Sequence, residues 1–467
     1  MKTSIIILSI ILLNMASIFS QTELQTREVA GNFRTVWEVL WGSDNHLWIT
    51  ERFGRISRLN PQTGETYPLI TIADVFENGE RGLLGMDLHP DFENNPYVYV
   101  AYNYGSTNQN TRVRIVRYTY NGSSLSEPLI LLDDIKGWWN HNGARIRIDN
   151  ELKLWFTMGD AADISLPQKT DNVNGKLCRM NLDGSVPDDN PFPGSYVWSY
   201  GHRNQQGLVL VGDNIYTSEH GASVHDEINL IHKGRNYGWP NVEGFCETAS
   251  EKIFCEQNNV VEPILSLYPN YTLAIAGMDY YNHDLIPEWK NSLLITALKT
   301  ELVVIAKLNE AGDKVIESFE MFKNQFGRLR DICVSPDGRV YIATSNQDGR
   351  GSNTFRNTMD KIIEISPKGS SSIFDDTENF IISPNPTSDY ITISFSNKGL
   401  QPFVADKVQI FDMLGMEVIS TPSASQPPTG EGNLRIDVSH LPAGVYFIKI
   451  NCSNGACSTI EKFVKQL

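Results

Sequence analysis

One histidine, four basic side chains and an amide stand at comparable points of successive β-rich stretches. His141 lies in Asn140-His-Asn-Gly-Ala-Arg, Arg203 and Asn204 in Gly201-His-Arg-Asn-Gln-Gln-Gly, Lys299 at the end of an apolar run, and Arg328 with Arg330 at the start of another. An imidazole with a pKa near 6.5 suits general-base work close to neutrality. Guanidinium groups favour bidentate capture of planar anions, so a cluster of Arg and Lys predicts a ligand bearing several carboxylates or phosphates. The chain as a whole carries a formal net charge of −16. That balance argues against nucleic acid or an anionic membrane as partner, since both require clustered Lys and Arg over a wide surface.

The elements that position these residues read as all-β. Helical periodicity is almost absent, and short β-rich runs broken by Asp, Asn and Gly recur from about Trp37 to Ser366. Ser43-Asp-Asn-His-Leu-Trp-Ile-Thr with Gly54-Arg-Ile-Ser-Arg-Leu-Asn is one unit, and Val334-Ser-Pro-Asp-Gly-Arg-Val-Tyr-Ile-Ala-Thr with Lys361-Ile-Ile-Glu-Ile is another. Six such units repeat at roughly 50 to 60 residues, the signature of blades that bury their faces only by stacking around an axis. The expected fold is a six-bladed β-propeller over 21–367, with a β-sandwich or β-helix as the alternative. A site at such a hub is assembled from single residues of several blades, as the spacing above requires.

The ends differ in texture. Lys2, the apolar run Ile5 to Met15 and the small residues Ala16 to Ser20 predict a signal peptide over 1–20 and an extracytoplasmic product without a transmembrane segment. Residues 368–379 are polar and read as a linker. From 380 to 467 alternating strands spaced by turns predict a small C-terminal β-sandwich. The six cysteines are too few for a disulfide scaffold. Cys246 with Cys255 and Cys452 with Cys457 are expected to close short loops, and Cys178 and Cys333 to be core thiols.

The larger region resembles the soluble pyrroloquinoline quinone (PQQ)-dependent glucose and aldose sugar dehydrogenases. The matching motifs are Gly82-Leu-Leu-Gly-Met-Asp-Leu-His-Pro-Asp-Phe, Gly175-Lys-Leu-Cys-Arg-Met-Asn-Leu-Asp-Gly, Gly201-His-Arg-Asn-Gln-Gln-Gly, Glu219-His-Gly-Ala-Ser-Val-His-Asp-Glu-Ile-Asn, Asn236-Tyr-Gly-Trp-Pro and Arg328-Leu-Arg-Asp. The resemblance implies oxidation of a sugar hydroxyl, with PQQ and Ca2+ as cofactors and an unknown electron acceptor. It implies His141 as the base that takes the hydroxyl proton while hydride passes to the quinone. Arg203 would stabilise charge on the quinone oxygen, and Asn204 would bond the cofactor. Glu80, Thr272, Lys299, Arg328 and Arg330 fall at cofactor-contacting positions. Calcium would be held by the main-chain carbonyls of Gly221 and Ala222.

The chain departs from the glucose enzyme at Glu80 and His220, where that enzyme carries Gln, at Ala222, where it carries Pro, and at Asn140, where it carries Asp. The last predicts a less basic His141 if a neighbouring carboxylate is what orients the ring. Two other functions remain open at this level: a calcium-dependent lactonase, and a propeller that binds glycans or proteins without catalysis. The tail resembles the sorting domain of type IX secretion cargo through Ser383-Pro-Asn-Pro-Thr, Phe411-Asp-Met-Leu-Gly, Leu441-Pro-Ala-Gly-Val-Tyr-Phe-Ile and Lys462-Phe-Val-Lys. It implies passage through the periplasm and outer membrane, to release or to the cell surface. A carbohydrate-binding module is the alternative for this tail.

Overall fold

Runs such as Val36–Trp41 and Ser292–Ala297 are apolar or small at almost every position, which suits strands covered on both faces. Runs such as Leu125–Lys136 expose most of their length, which suits a rim. The computed structural model realises both. It describes residues 22–370, 380–383, 386–395, 405–412, 416–420, 433–452 and 458–466. The expected signal peptide, most of the linker and Cys457, the expected partner of Cys452, lie outside the described residues. The chain divides into two compact units between Ser370 and Ser371.

The first unit holds six four-stranded antiparallel sheets. Strand β1 (Leu24–Phe33) comes first in the chain but pairs with the last strand of the unit. The first sheet is β2 (Val36–Trp41), β3 (Leu47–Glu51), β4 (Arg55–Leu59) and β5 (Thr66–Thr71). The second is β6 (Leu83–Leu88), β7 (Tyr97–Tyr104), β8 (Arg112–Tyr120) and β9 (Leu125–Lys136), and the third is β10 (Ile146–Ile148), β11 (Lys153–Met158), β12 (Lys176–Asn181) and β13 (Val197–Tyr200). The fourth is β14 (Gln205–Val211), β15 (Asn214–Glu219), β16 (Asp226–Leu230) and β17 (Leu265–Leu267). The fifth is β18 (Ile275–Tyr281), β19 (Ser292–Ala297), β20 (Leu302–Leu308) and β21 (Val315–Met321). The sixth takes β22 (Leu329–Val334), β23 (Val340–Thr344) and β24 (Asp360–Pro367) and is completed by β1, so both ends of the unit lie in one sheet.

Each sheet starts on its innermost strand, and these strands touch in turn: β2 meets β6, β6 meets β10, and so on until β22 meets β2. An apolar cluster fills every joint between neighbouring sheets. Trp48 and Val98 pack between the first and second, and Val36 and Tyr341 between the sixth and first. Burial of these faces supplies the main driving force. Main-chain hydrogen bonds to buried and half-buried acids add a second tie. Glu38 accepts from Met86 N–H (3.3 Å), Asp87 from Ile148 (2.7 Å), Asp279 from Val334 (2.8 Å) and Asp331 from Val39 (2.7 Å), each acid reaching the next sheet. Two glycines show how close the strands come. A Cβ on Gly85 would sit 2.1 Å from the carbonyl oxygen of Ala144, and one on Gly277 1.8 Å from Asp331 Oδ1.

One helix departs from the all-β reading. Strands β16 and β17 are separated by a long insertion that holds α1 (Ala249–Asn258). Thr248 and Glu251 cap it reciprocally, a local signal that outweighs its weak apolar periodicity. The expected disulfide between Cys246 and Cys255 is present in this insertion, and Cys178 and Cys333 are buried free thiols. The second unit pairs a three-stranded sheet, Phe380–Ser383, Tyr390–Phe395 and Asn433–Asp437, with a four-stranded one, Glu417–Ser420, Ala405–Phe411, Gly444–Cys452 and Ser458–Lys465. Ile391, Ile410, Ile448 and Phe463 form its core.

Candidate active site

The loops that enter the six innermost strands converge on one cavity of about 450 Å3. Its lining draws on every blade: Trp37; Glu80 and Leu84; Asn142 and Gly143; Gln206 and His220; Ala274, Leu298 and Lys299; and Arg328, Arg330 and Arg350. The size is that of a small-molecule site. Four bases and one acid make it strongly cationic in an otherwise acidic protein.

His141 stands on the entry to β10. Its backbone is left-handed, with φ 54°, as are those of Gly143 (60°) and Ala144 (71°). Such geometry in a non-glycine residue persists where its surroundings fix it. Glu80 Oε2 accepts the His141 N–H at 3.2 Å, and the His141 carbonyl accepts from Ala161 N–H at 3.1 Å. The ring is held too: Nδ1 lies 2.8 Å from Asp160 Oδ1. Asp160 is itself buried and saturated, with Ala162 N–H on Oδ1 (2.8 Å) and Trp239 Nε1 on Oδ2 (2.9 Å). A carboxylate on Nδ1 fixes the tautomer with its proton there and leaves Nε2 as the basic atom.

The expected partner for this ring is residue 140, and the structure places the carboxylate at 160 instead. Asn140 Oδ1 is buried without a partner. The loss of an acid at 140 therefore does not leave the imidazole unsupported.

Arg203 lies over the Trp239 ring, 5.5 Å from its centroid, and donates to the carbonyl of His220 at 3.2 Å. It borders a small recess beside the main cavity rather than the cavity itself. Glu219 sets its place by accepting the main-chain N–H groups of Arg203 and Asn204 and, at 3.1 Å, His202 Nδ1. Asn204 is buried, and its Oδ1 accepts from Gly143 N–H at 3.2 Å, tying the fourth blade to the loop of His141.

The basic residues differ in how far they are satisfied. Arg328 is neutralised by Asp348, at 2.9 Å from Nε and 2.8 Å from Nη2. Arg330 donates one bond, from Nη1 to Gln206 Oε1 at 2.9 Å, and its Nε is buried without a partner. Burial, with Arg328 and Arg52 close by, draws its pKa down to about 9. Lys299 is exposed to the cavity, and its ammonium has no ion pair among the described residues. Burial pushes His220 down to about 3, so this second imidazole is neutral; its Nε2 also lacks a partner. Glu80 is the lone acid. Burial opposes its charge, but the Arg350 guanidinium and the hydrogen bond from His141 N–H hold it below the usual carboxylate range.

The loop between β15 and β16 carries Gly221 and Ala222. Gly221 N–H donates to Asp226 Oδ1 at 2.9 Å and Ala222 N–H to Glu243, while neither residue's carbonyl accepts a hydrogen bond from the described residues. Thr272 falls away from the cavity: its hydroxyl donates to Asp226 Oδ1 at 2.7 Å, and Ala274 takes the lining position. Asp226 is thus a buried organiser of that loop, not a solvated carboxylate.

Several site residues escaped the sequence reading. Asp160 follows Gly159 directly after an apolar strand, which was an available signal for a residue at a hub. Trp239 and Gln206 fall within the quoted motifs without a role assigned to them, and Arg350 carried no mark, because what selects all three is contact across blades.

A closed ring of six sheets with one cationic well on its axis defines a six-bladed β-propeller whose ligand site is shared among all blades. Residues 33–355 match the family model described as glucose / sorbosone dehydrogenase, and the chain belongs to that family. It is 32% identical to quinoprotein glucose dehydrogenase B of Acinetobacter calcoaceticus, over 70% of this chain and 88% of that protein. It is 30% identical to an aldose sugar dehydrogenase of Escherichia coli, over 67% and 88%. The structure of the PQQ-bound aldose sugar dehydrogenase from Streptomyces coelicolor superposes with a TM-score of 0.63 at 29% identity, covering 74% of this chain and 98% of that one. Residues 382–466 match the secretion system C-terminal sorting domain. Among the described residues no helix is long and apolar enough to cross a membrane.

Proposed function

We propose that the protein oxidises the hydroxyl of an aldose or related sugar to the lactone, using PQQ and Ca2+. The observation that carries this reading is the His141–Asp160 pair beside a well in which Arg330 and Lys299 have no ion-pair partner among the described residues. The bound quinone, polarised by Ca2+, supplies the hydride acceptor.

The residues present fit that pair of cofactors. The buried, unpaired Nε of Arg330 and the free ammonium of Lys299 need an anion, and a tricarboxylate provides one. Arg328, Asn204 and Glu80 complete the contacts on that ligand, and Thr272 acts on it indirectly through the Asp226 loop. The carbonyl oxygens of Gly221 and Ala222, free of hydrogen bonds, suit a hard cation.

In the reaction His141 Nε2 takes the proton of the sugar hydroxyl as hydride leaves its carbon. Asp160 holds the ring in place and stabilises the imidazolium that forms. Arg203, fixed by Trp239 and Glu219, offers positive charge where negative charge develops. The lactonase alternative requires inward carboxylates around an ion, and a well lined by four bases and Glu80 alone does not favour it. The sorting-domain match supports export through the type IX machinery to the cell surface or medium, after removal of the signal peptide.

The test is reconstitution of the purified protein with PQQ and CaCl2. The bound-cofactor absorbance should bleach or shift on adding aldose, with reduction of an artificial dye. His141→Ala should bind the cofactor and show neither change. Absence of PQQ binding by calorimetry would overturn the assignment.

A further inference from the structure

The two carbonyls assigned to calcium belong to peptide units whose opposite edges are held by one carboxylate. Glu243 Oε1 accepts the N–H of Ala222, and the N–H of Ser223 reaches the same oxygen at 3.4 Å. The Gly221 carbonyl shares a planar trans peptide with the Ala222 N–H, and the Ala222 carbonyl shares one with the Ser223 N–H. In such a unit C=O and N–H point in opposite directions, so whatever fixes the N–H also aims the oxygen. Turning two successive N–H groups onto one anion therefore turns both carbonyls away from it.

The peptide before them shows both edges in use. Gly221 N–H donates to Asp226 Oδ1 at 2.9 Å, and on the other edge the His220 carbonyl accepts from Arg203 Nη1 at 3.2 Å. Three consecutive peptides thus give their N–H edges to carboxylates. The first gives its oxygen to a guanidinium, and the next two carry the oxygens that the proposed function gives to Ca2+.

The loop itself has little to hold these peptides. Gly221 has no side chain to resist their rotation, and Ala222 and Ser223 are exposed. Glu243, in the insertion between β16 and β17, is half-buried and fixed from both sides. Val242 is buried with its N–H on the Gly238 carbonyl at 3.2 Å, and Gly244 N–H donates to Glu227 Oε1 at 2.6 Å. Gly244 is left-handed, with φ 77°, and a Cβ there would sit 2.9 Å from the His225 ring, so only glycine lets the insertion approach this closely.

Resting on the reading of a PQQ- and Ca2+-dependent enzyme, we propose that Glu243 is a positioning residue for the cation. Its carboxylate aims the carbonyls of Gly221 and Ala222 and, by polarising their peptides, strengthens them as ligands of a hard ion. It acts through the loop, as neither a calcium ligand nor a contact of the quinone.

Calcium affinity is the readout. Protein stripped with EDTA and supplied with PQQ is titrated with CaCl2 by calorimetry, beside E243Q, which keeps an acceptor oxygen, and E243A, which has none. E243A should bind Ca2+ about 30- to 100-fold more weakly and E243Q only about three- to tenfold, with the unfolding midpoint of the stripped protein within about 2 °C of wild type in both.

Unchanged Ca2+ affinity in E243A sinks the positioning role and leaves the cofactor reading intact. Equal losses in E243A and E243Q would assign the effect to charge rather than to aim, against the proposal. A midpoint that falls in step with the affinity would make Glu243 a structural tie of the insertion, likewise against it. If the wild-type protein takes up no calcium with PQQ present, the cofactor reading itself fails and the inference goes with it.

Discussion

His141 Nδ1 and Asp160 Oδ1 lie 2.8 Å apart although they belong to different connections, one entering β10 and one leaving β11. The pair sets the ring of the base before any ligand arrives. Asp160 spends its remaining capacity on Trp239, whose face supports Arg203, so one buried carboxylate aligns the base and, through an indole, the cation. Asp160→Asn should therefore lower kcat by about 100- to 10,000-fold while PQQ binding is retained. Dye-linked turnover set beside a PQQ titration checks both halves.

Arg330 should show opposite effects on the empty and loaded protein. A buried guanidinium beside Arg328 and Arg52, with one hydrogen bond to Gln206, is an uncompensated charge. Replacing it by Met should raise the unfolding midpoint of the cofactor-free protein by a few degrees and weaken PQQ binding by about 100-fold. A variant that loses stability and keeps affinity would contradict the proposed role.

The acids at the hub predict how stability follows pH. Burial pushes Asp87 up to about 6 and raises Asp331, each against the lowering pull of arginine: Arg147 for Asp87, Arg145 and Arg147 for Asp331. The folded protein then binds protons that the unfolded chain releases, over the range between the ordinary carboxylate pKa near 4 and about 6. Stability from these groups should rise as pH falls through that window and be lost as pH increases. Asp87 alone accounts for up to about 3 kcal/mol. Thermal unfolding from pH 7.5 to 4.5 in EDTA should show the trend, and Asp87→Asn should flatten it.

The division at Ser370 predicts that the two units can be separated. A chain ending at Ser370 retains β1 and β24, whose pairing completes the sixth sheet. It should keep its unfolding midpoint and PQQ binding yet remain in the periplasm of a host with type IX secretion. Cell fractionation with an antibody to the propeller distinguishes this from a tail that also stabilises the first unit.

The amino-acid sequence by itself determined the blades and their number, because each strand must alternate with turns and each unit repeats the same apolar grammar. It also marked His141, Arg328 and Arg330, since basic residues recurring at blade entrances in an acidic chain need a common cause. It did not reveal how the blades meet. The hydrogen bonds of Asp87 and Asp331 run to main-chain groups of a neighbouring sheet, and nothing local in either strand specifies them. The same reason hid Asp160: attention to residue 140, adjacent in the chain, missed the acid that folding brings to the ring. Thr272 shows the converse, for a position aligned with a cofactor contact turns instead to Asp226. Periodicity is a property of one segment and can be read there, whereas the well exists only where six segments converge, and its unpaired cations arise from that convergence.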